Sequence, residues 1–450
     1  MNKISCFYSL GGINYKNGFV TSCPQQSDRL FEIESGQTIL PSEIINSKGF
    51  KDHRKEMMTG TWSQGCHLCK EVEEAKAGES MRKSLWFMGP DFTTVDLEGN
   101  YKEDGSIDFS NLRHIELRFS NACNMACLHC STVYSSGWMS KLKNYQTTDE
   151  DKFYRLHQLT KEMHGVNGVT TSIDLDNDQV EDIVKDLNKH FLSLEKVDFA
   201  GGEVLYQKQF FHCLNFLKDH PNASNMNVTF HSNFNVDFDP EKLSSLLANF
   251  KSSRIMISID AGKNIYPYFR TGNWDKLTDN LRKFREINDF TQVCAVCTTS
   301  IYQMMDIENI FESFLTLDFD WINSSIVYTP RYLNPSLIMF QYKDEIMQDI
   351  FSVEQYIKKT YFDRIKNFET TEKLRSWSPD HKVFNDIRSS WIAIQNIKNY
   401  VVNTSLDYKN YKSFLKYVEK TDVIWKQNFN DHFKKFKFVD GKIERITHND

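Results

Sequence analysis

Several common signatures are missing from this chain of 450 residues. No run of about 18 or more apolar residues occurs, so nothing in it reads as a membrane-spanning helix. The opening "MNKISCFYSLGG" has neither the apolar core nor the cleavage site of a secretory signal. A cytoplasmic protein with no membrane partner is the expectation. Excess positive charge is also lacking. The formal net charge is −6, which leaves no electrostatic footprint for nucleic acid. One basic cluster, "HFKKFKF" at 432–438, reads as a solvated helix face. Internal repeats and low-complexity linkers are absent. Cysteine is scarce: ten residues are too few for a disulfide-stapled secreted scaffold. Those ten fall in clusters, and without an export signal clusters point to metal or redox sites.

What is present suits a large α/β protein. A hydrophobic content of 40% is enough for a sizeable core. The length fits one large α/β barrel with additions, or two to three domains. Strand-like runs occur at "HIELRF" (114–119), "KVDFA" (196–200), "NVTFH" (227–231), "RIMISI" (254–259), "TQVCAVCTT" (291–299) and "WINSSIVY" (321–328). Amphipathic stretches separate them at 179–194, 208–220, 241–250 and 274–287. This alternation predicts a parallel sheet with right-handed crossovers. Six units are fewer than the eight of a closed barrel. The expected fold is therefore a partial (β/α)6 TIM-type barrel over 110–335. Residues 1–95 read as loop-rich and cysteine-bearing, and 340–450 as a helical addition. The first crossover, about 75 residues long, is expected to carry its own helices.

The segment "CNMACLHC" (123–130) follows the first strand. In parallel α/β sheets, chemistry gathers at the carboxyl ends of strands. Cys123, Cys127 and Cys130 can bind three irons of a [4Fe–4S] cluster and leave the fourth iron open. Iron–sulfur clusters usually take four cysteines, so three imply an exogenous ligand. A zinc site would recruit His129, but its adjacency to Cys130 strains tetrahedral geometry.

The C-x3-C-x2-C spacing after a first strand resembles the signature of the radical S-adenosylmethionine (radical SAM) superfamily. The resemblance implies that SAM chelates the open iron and is cleaved reductively to a 5′-deoxyadenosyl radical, which abstracts hydrogen from a substrate. Further stretches agree in order. "VDFAGGEVL" resembles the Gly-Gly-Glu segment of the family: Gly201 and Gly202 admit a close ligand, and Glu203 would meet the SAM ammonium. The family often has Pro after the Glu, and Val204 stands here. His231, Ser232 and Asn233 in "TFHSNF" resemble its polar triplet, an Asx-type turn being the alternative. Ser258 and Asp260 look like ribose-side residues. Arg270 is suited to holding the SAM carboxylate, with a salt bridge as the alternative. Tyr328, after the sixth strand, would meet the adenine or pack in the core. The barrel resemblance covers about half of the chain.

A second group lies at the front. "CFYSLGGINYKNGFVTSC" sets Cys6, Gly18 and Cys23 in a C-x11-G-x4-C pattern, and "GCHLC" pairs Cys66 with Cys69. The pattern is similar to twitch and SPASM extensions of radical SAM proteins. It implies that these four cysteines hold an auxiliary [4Fe–4S] cluster. Here the segment precedes the barrel, whereas in the best-known members it follows. A four-cysteine zinc site would use the same residues. Cys294 and Cys297, three apart on a strand, face opposite sides and read, like Cys213, as core residues.

The resemblance implies an enzyme with SAM, one [4Fe–4S] cluster and a second auxiliary one. Its partners would be a reductant such as flavodoxin or ferredoxin and a peptide or protein substrate. Alternatives are modification of a small molecule (sugar or nucleoside), a glycyl-radical-type activase, or, in another class, a non-catalytic zinc-binding interaction protein.

Overall fold

The computed structural model describes residues 4, 6–16, 18–26, 28–34, 36–74, 80–83, 101–144, 174–317, 319–328, 330–369, 382–404 and 408–446. The chain forms two compact units. The first comprises Met1–Ala122, Thr170–His231 and Asp237–Arg254. The second comprises Cys123–Val169, Ser232–Val236 and Ile255–Asp450.

In the first unit, strands β1 (Gly12–Lys16), β2 (Phe19–Thr21), β3 (Phe31–Glu32), β4 (His114–Leu117), β5 (Lys196–Phe199) and β6 (Asn227–Ser232) run in the order β3-β2-β1-β4-β5-β6. β1 pairs with β4, β4 with β5 and β5 with β6 in parallel. β2 and β3 add on antiparallel. β7 (Ser252–Ser258) begins in this unit and ends in the second. In the second unit β8 (Gln292–Thr299) and β9 (Trp321–Ile326) pair in parallel. This is a mixed α/β fold on a largely parallel sheet, consistent with a partial barrel. All six strands read from the sequence are present, as β4 to β9.

Register sorts the side chains. On one face of β1, β4, β5 and β6 stand Ile13, Ile115, Leu117, Val197, Phe199, Val228 and Phe230, none more than 1% exposed. The helix Asn177–His190 is one of those that build this unit's core, burying Val180, Ile183, Val184 and Leu187 at helical spacing. Each such side chain contributes about 1.5–3 kcal/mol. A capping box starts the helix: Asp176 accepts from the Gln179 amide at 2.8 Å, and Gln179 accepts from the Asp176 amide at 2.9 Å.

Two expectations are corrected. Residues 1–95 are not merely irregular. β1 to β3 and the helix Lys48–Met58 are formed there, and β1 extends the parallel sheet beside β4. The turn between β1 and β2 contains Gly18 at φ 85°, a conformation that favours glycine. Buried Arg54 ties the segment together by donating to the carbonyls of Ser9, Ile45 and Gly105. The basic cluster near the end is not a helix face either. Phe436–Val439 (β10) pairs antiparallel with Lys442–Arg445 (β11). Asp440 and Gly441 turn it, both with positive φ, as an Asp-Gly two-residue hairpin loop requires. Upstream, the expected C-terminal helices stand at Met339–Glu369, Lys382–Asn403 and Tyr408–Trp425. The middle of the long first crossover (145–173) lies outside the described residues, as do 75–79 and 84–100.

Candidate functional site

The second unit holds the three-cysteine loop. Cys127 is buried, and Cys123 and Cys130 are half-buried. Burial pushes the Cys127 thiol up, and Cys130 and Cys123 add to the rise. Burial, then the neighbouring Cys123, pushes Cys130 up to about 12. The three sulfurs are thus near enough to repel one another when ionised. Asn233 donates its side-chain N–H towards the Cys123 sulfur at 3.9 Å and to the Asn124 side chain at 2.8 Å. It also accepts from the Asn235 amide, as Ser232 does from Phe234. The polar triplet therefore contains the expected Asx-type turn, and its Asn touches the first cysteine.

The loop backbone is strapped at nearly every residue. Ser136 accepts from the Cys123 amide, Thr271 from the Ala126 amide, and the Phe269 carbonyl from the Leu128 amide. Four successive carbonyls each receive a side-chain donor. Ser135 donates to Met125 at 2.5 Å, Trp425 to Ala126 at 2.8 Å, Trp138 to Cys127 at 2.7 Å, and the Tyr417 hydroxyl to Leu128. A buried loop needs such partners because water cannot serve.

Arg270 and Asp260 form a buried pair beside this loop. Their charged groups lie 2.7 Å apart at 7% and 2% side-chain exposure. Asp260, at φ 48°, also accepts from the Thr298 amide, and its carbonyl accepts from Gln303. Burial opposes the Arg270 charge, but Cys127 and Asp260 outweigh it and the guanidinium is held charged. The Arg270 carbonyl faces the Cys127 sulfur at 3.5 Å. Arg270 is thus in an ion pair that is buried, where the alternative to SAM binding was a surface salt bridge. His129 stacks on Phe269 at 5.0 Å between ring centres, with Nε2 3.6 Å from Asp260. Ser258 ends β7, half-buried. Tyr328 is 47% exposed and meets Tyr400 edge-on.

The first unit holds the Gly-Gly-Glu turn. Gly201 and Gly202 have φ of 82° and 51°. A Cβ on Gly202 would lie 2.3 Å from the Ala122 carbonyl oxygen, so no other residue fits. The Glu203 amide donates to Ala122, and its buried carboxylate accepts from the Leu205 amide at 3.0 Å. It caps the short helix that follows.

The same unit brings the four front cysteines together. Cys6, Cys23, Cys66 and Cys69 line one cavity with Tyr8, Met57, Trp62 and Arg82. The hairpin β1–β2 explains the spacing: Cys6 precedes it, Cys23 follows it, and pairing folds the second back towards the first. Burial raises all three shifted thiols, Cys66 to about 12, and mutual repulsion raises them further. Met57, Met81 and Trp62 pack with Cys6, Cys23 and Cys66 in a hydrophobic cluster.

Both donor sets suit an iron–sulfur cluster. All ten cysteines are free thiols. Each group offers sulfur donors that are buried or half-buried, and thiolates gathered so closely would be stabilised by a bound metal cation. Among the described residues no three His, Cys, Asp or Glu side chains form a ready cage for a single metal ion. A cubane does not require one, since each thiolate binds its own iron. Cys213, Cys294 and Cys297 are fully or almost fully buried core residues.

Sequence reasoning passed over a further set. The second face of β1, β4 and β5 carries Asn14, Lys16, His114, Glu116, Lys196 and Asp198, and Arg118 follows β4. His114 Nε2 meets Asp198 at 2.9 Å, Lys196 meets Asp198 at 3.2 Å, and Arg118 meets Glu116 at 2.6 Å. Burial alone would raise the Asp198 carboxyl, but Lys196 and His114 hold it below its usual range. Strict alternation with Ile115, Leu117 and Phe119 was the available signal, but it reads equally as a solvent-facing side.

Residues 117–312 match the sequence model of the Radical SAM superfamily. A search of curated proteins found no match. Among solved structures, the chain is similar to native anSMEcpe with bound AdoMet, at 15% identity and TM-score 0.34, covering 47% of this chain and 50% of that one. It is also similar to Streptococcus suis SuiB bound to precursor peptide SuiA, at 12% identity and TM-score 0.34, covering 56% and 46%. A third is the methyltransferase TsrM from Kitasatospora setae, at 14% identity and TM-score 0.29, covering 48% and 36%. The chain spans about half the length of the first two structures. Residues 117–312 are thus similar to a radical SAM domain.

Proposed function

We propose that Cys123, Cys127 and Cys130 hold a [4Fe–4S] cluster whose open iron takes SAM, and that the enzyme abstracts hydrogen from a peptide or protein side chain. When bound, the pair supplies a 5′-deoxyadenosyl radical by reductive cleavage of the sulfonium. The observation that carries this is the loop that sets three cysteines together, its backbone strapped by side chains, beside the buried Asp260–Arg270 pair. Gly201, Gly202, Glu203, Ser232, Asn233, Ser258, Asp260 and Arg270 are the proposed SAM-binding set. Within it Gly202 lets the turn pack against the Ala122 carbonyl, and Asp260 fixes Arg270 as a standing positive charge. The protein's part is to orient the cofactor and exclude water.

Cys6, Cys23, Cys66 and Cys69 are proposed to hold an auxiliary [4Fe–4S] cluster in a twitch-like segment over 1–95. With all four irons ligated it would pass electrons and leave the substrate to other groups. The peptide preference follows from the resemblance to auxiliary-cluster enzymes. Cytoplasmic location and a flavodoxin- or ferredoxin-type donor belong to the same proposal.

Anaerobic reconstitution tests it. About eight irons per chain are expected for two cubanes, and about four for one. Dithionite and SAM should yield 5′-deoxyadenosine, and deuterium from a labelled peptide should appear in it. Colourless protein that takes up zinc and forms no 5′-deoxyadenosine would sink the proposal and favour the non-catalytic binding protein.

A further inference from the structure

The cysteine loop and the helix Tyr408–Trp425 are far apart in sequence and joined by two hydrogen bonds. Trp425 Nε1 donates to the Ala126 carbonyl at 2.8 Å, and the Tyr417 hydroxyl donates to the Leu128 carbonyl. Between those two carbonyls, Cys127 takes the indole N–H of Trp138 at 2.7 Å. Trp138 and Trp425 pack edge to face, 4.6 Å between ring centres. Tyr417 and Trp425 are eight residues apart, close to two helical turns and a bit. They belong to a buried stripe with Tyr411, Phe414, Val418 and Thr421. The same C-terminal segment reaches the Arg270 side. Asp422 accepts from the Tyr268 hydroxyl at 2.8 Å, and Gln427 donates to the Tyr268 carbonyl at 3.3 Å.

We infer that Trp138, Tyr417 and Trp425 are positioning residues for the SAM cluster, acting as a clasp on three consecutive carbonyls of its loop. The inference rests on the three cysteines being cluster ligands, as proposed above. The physical argument has two parts. A carbonyl in a buried loop that loses its donor is left unsatisfied and turns to find another. Three such carbonyls surrounding Cys127 therefore fix the backbone that aims its sulfur. Each carbonyl oxygen also carries partial negative charge, and a thiolate-ligated cluster becomes more negative on reduction. Donors that cap those oxygens favour the reduced state. Removing them is expected to lower the midpoint potential and to loosen the iron.

The test uses the full chain, reconstituted anaerobically, as wild type, Tyr417→Phe/Trp425→Phe, Tyr417→Phe alone, and Phe414→Leu. Tyr417→Phe keeps its ring and loses only the donor, whereas Trp425→Phe loses the indole N–H together with part of the ring that packs on Trp138. Phe414→Leu disturbs the same stripe without touching the loop. Expected for both donor variants are melting close to wild type, iron loss to a ferrous chelator several-fold faster, a changed electron paramagnetic resonance envelope of the reduced cluster, and a lower potential. Tyr417→Phe alone decides the matter if the double variant does not fold. Unchanged iron release and spectrum in the folded donor variants would overturn the clasp. So would an equal change in Phe414→Leu, which would mean general packing. A wild-type chain that binds no cluster at the three cysteines overturns the underlying proposal, and the clasp with it.

Discussion

The two cysteine groups reach the same end by different means. In the first unit four thiols converge on one cavity because a hairpin folds Cys23 back towards Cys6 and a helical turn carries Cys66 and Cys69. The frame is local apart from the step between the pairs. In the second unit three thiols share one loop of eight residues, yet that loop is held by groups from Ser135 to Trp425. Closeness in sequence thus goes with remote support, and separation in sequence with local support. Arg270, paired with Asp260, stands by the three-cysteine loop, and the four-cysteine cavity has Arg82 in its lining.

The sharpest way to break this comparison is to remove thiols from each group in turn. Cys127→Ala is expected to abolish dithionite-dependent 5′-deoxyadenosine, read by chromatography. Cys66→Ala with Cys69→Ala should leave that product forming and cut iron by about half, from about eight to about four per chain. Loss of the product in the second variant would make the groups interdependent.

Backbone and ion-pair changes come next. Asp260→Ala leaves Arg270 buried and unpaired in the second unit, and is expected to cost about 3–5 kcal/mol. Gly202→Ala in the first unit forces a side chain into positive φ and against Ala122, and is expected to cost about 1–3 kcal/mol. Chemical denaturation measures both. A smaller loss for Asp260→Ala than for Gly202→Ala would show that the pair adds little to the fold.

The smallest effects concern acidity and have opposite signs. His53 is held neutral in the first unit, mainly by burial and then by Arg54 against Asp28, with its pKa lowered from 6.5 to about 4. The unfolded chain binds that proton first, so stability is lost as pH falls from 6.5 towards 4. Asp306, at the start of a helix in the second unit, is raised by burial from 3.8 to about 7, against Asn309, Lys434 and Lys435 and with Glu308. Here the fold binds the proton more tightly, so stability is lost as pH rises from 3.8 towards 7. Melting His53→Gln and Asp306→Asn at pH 5 and pH 7 should remove these two slopes separately. Slopes of the same sign would refute the assignment.

Much of this was legible in the chain. The strands β4 to β9 announce themselves by apolar runs between amphipathic stretches, and the cysteines by spacing. The N-terminal strands did not, because "INYK" and "FVT" are short and flanked by glycines that suggest loops. The closing hairpin was masked by its lysines, although Asp440–Gly441 is a strong turn signal. Arg270 allowed two readings, and only three dimensions reveal that Asp260 already holds it. Trp425 and Tyr417 carried no local sign at all, since their partners lie some 290 residues away.

That distance has a consequence for the life of the chain. A ribosome adds about 5–20 residues each second, so roughly 15–60 s separate the emergence of Cys130 from that of Trp425. During that interval the three thiols exist without their clasp. On the proposed reading, iron–sulfur assembly at these cysteines would be timed to the end of synthesis, and a chain stalled before residue 417 would carry the three thiols without the donors that hold their loop.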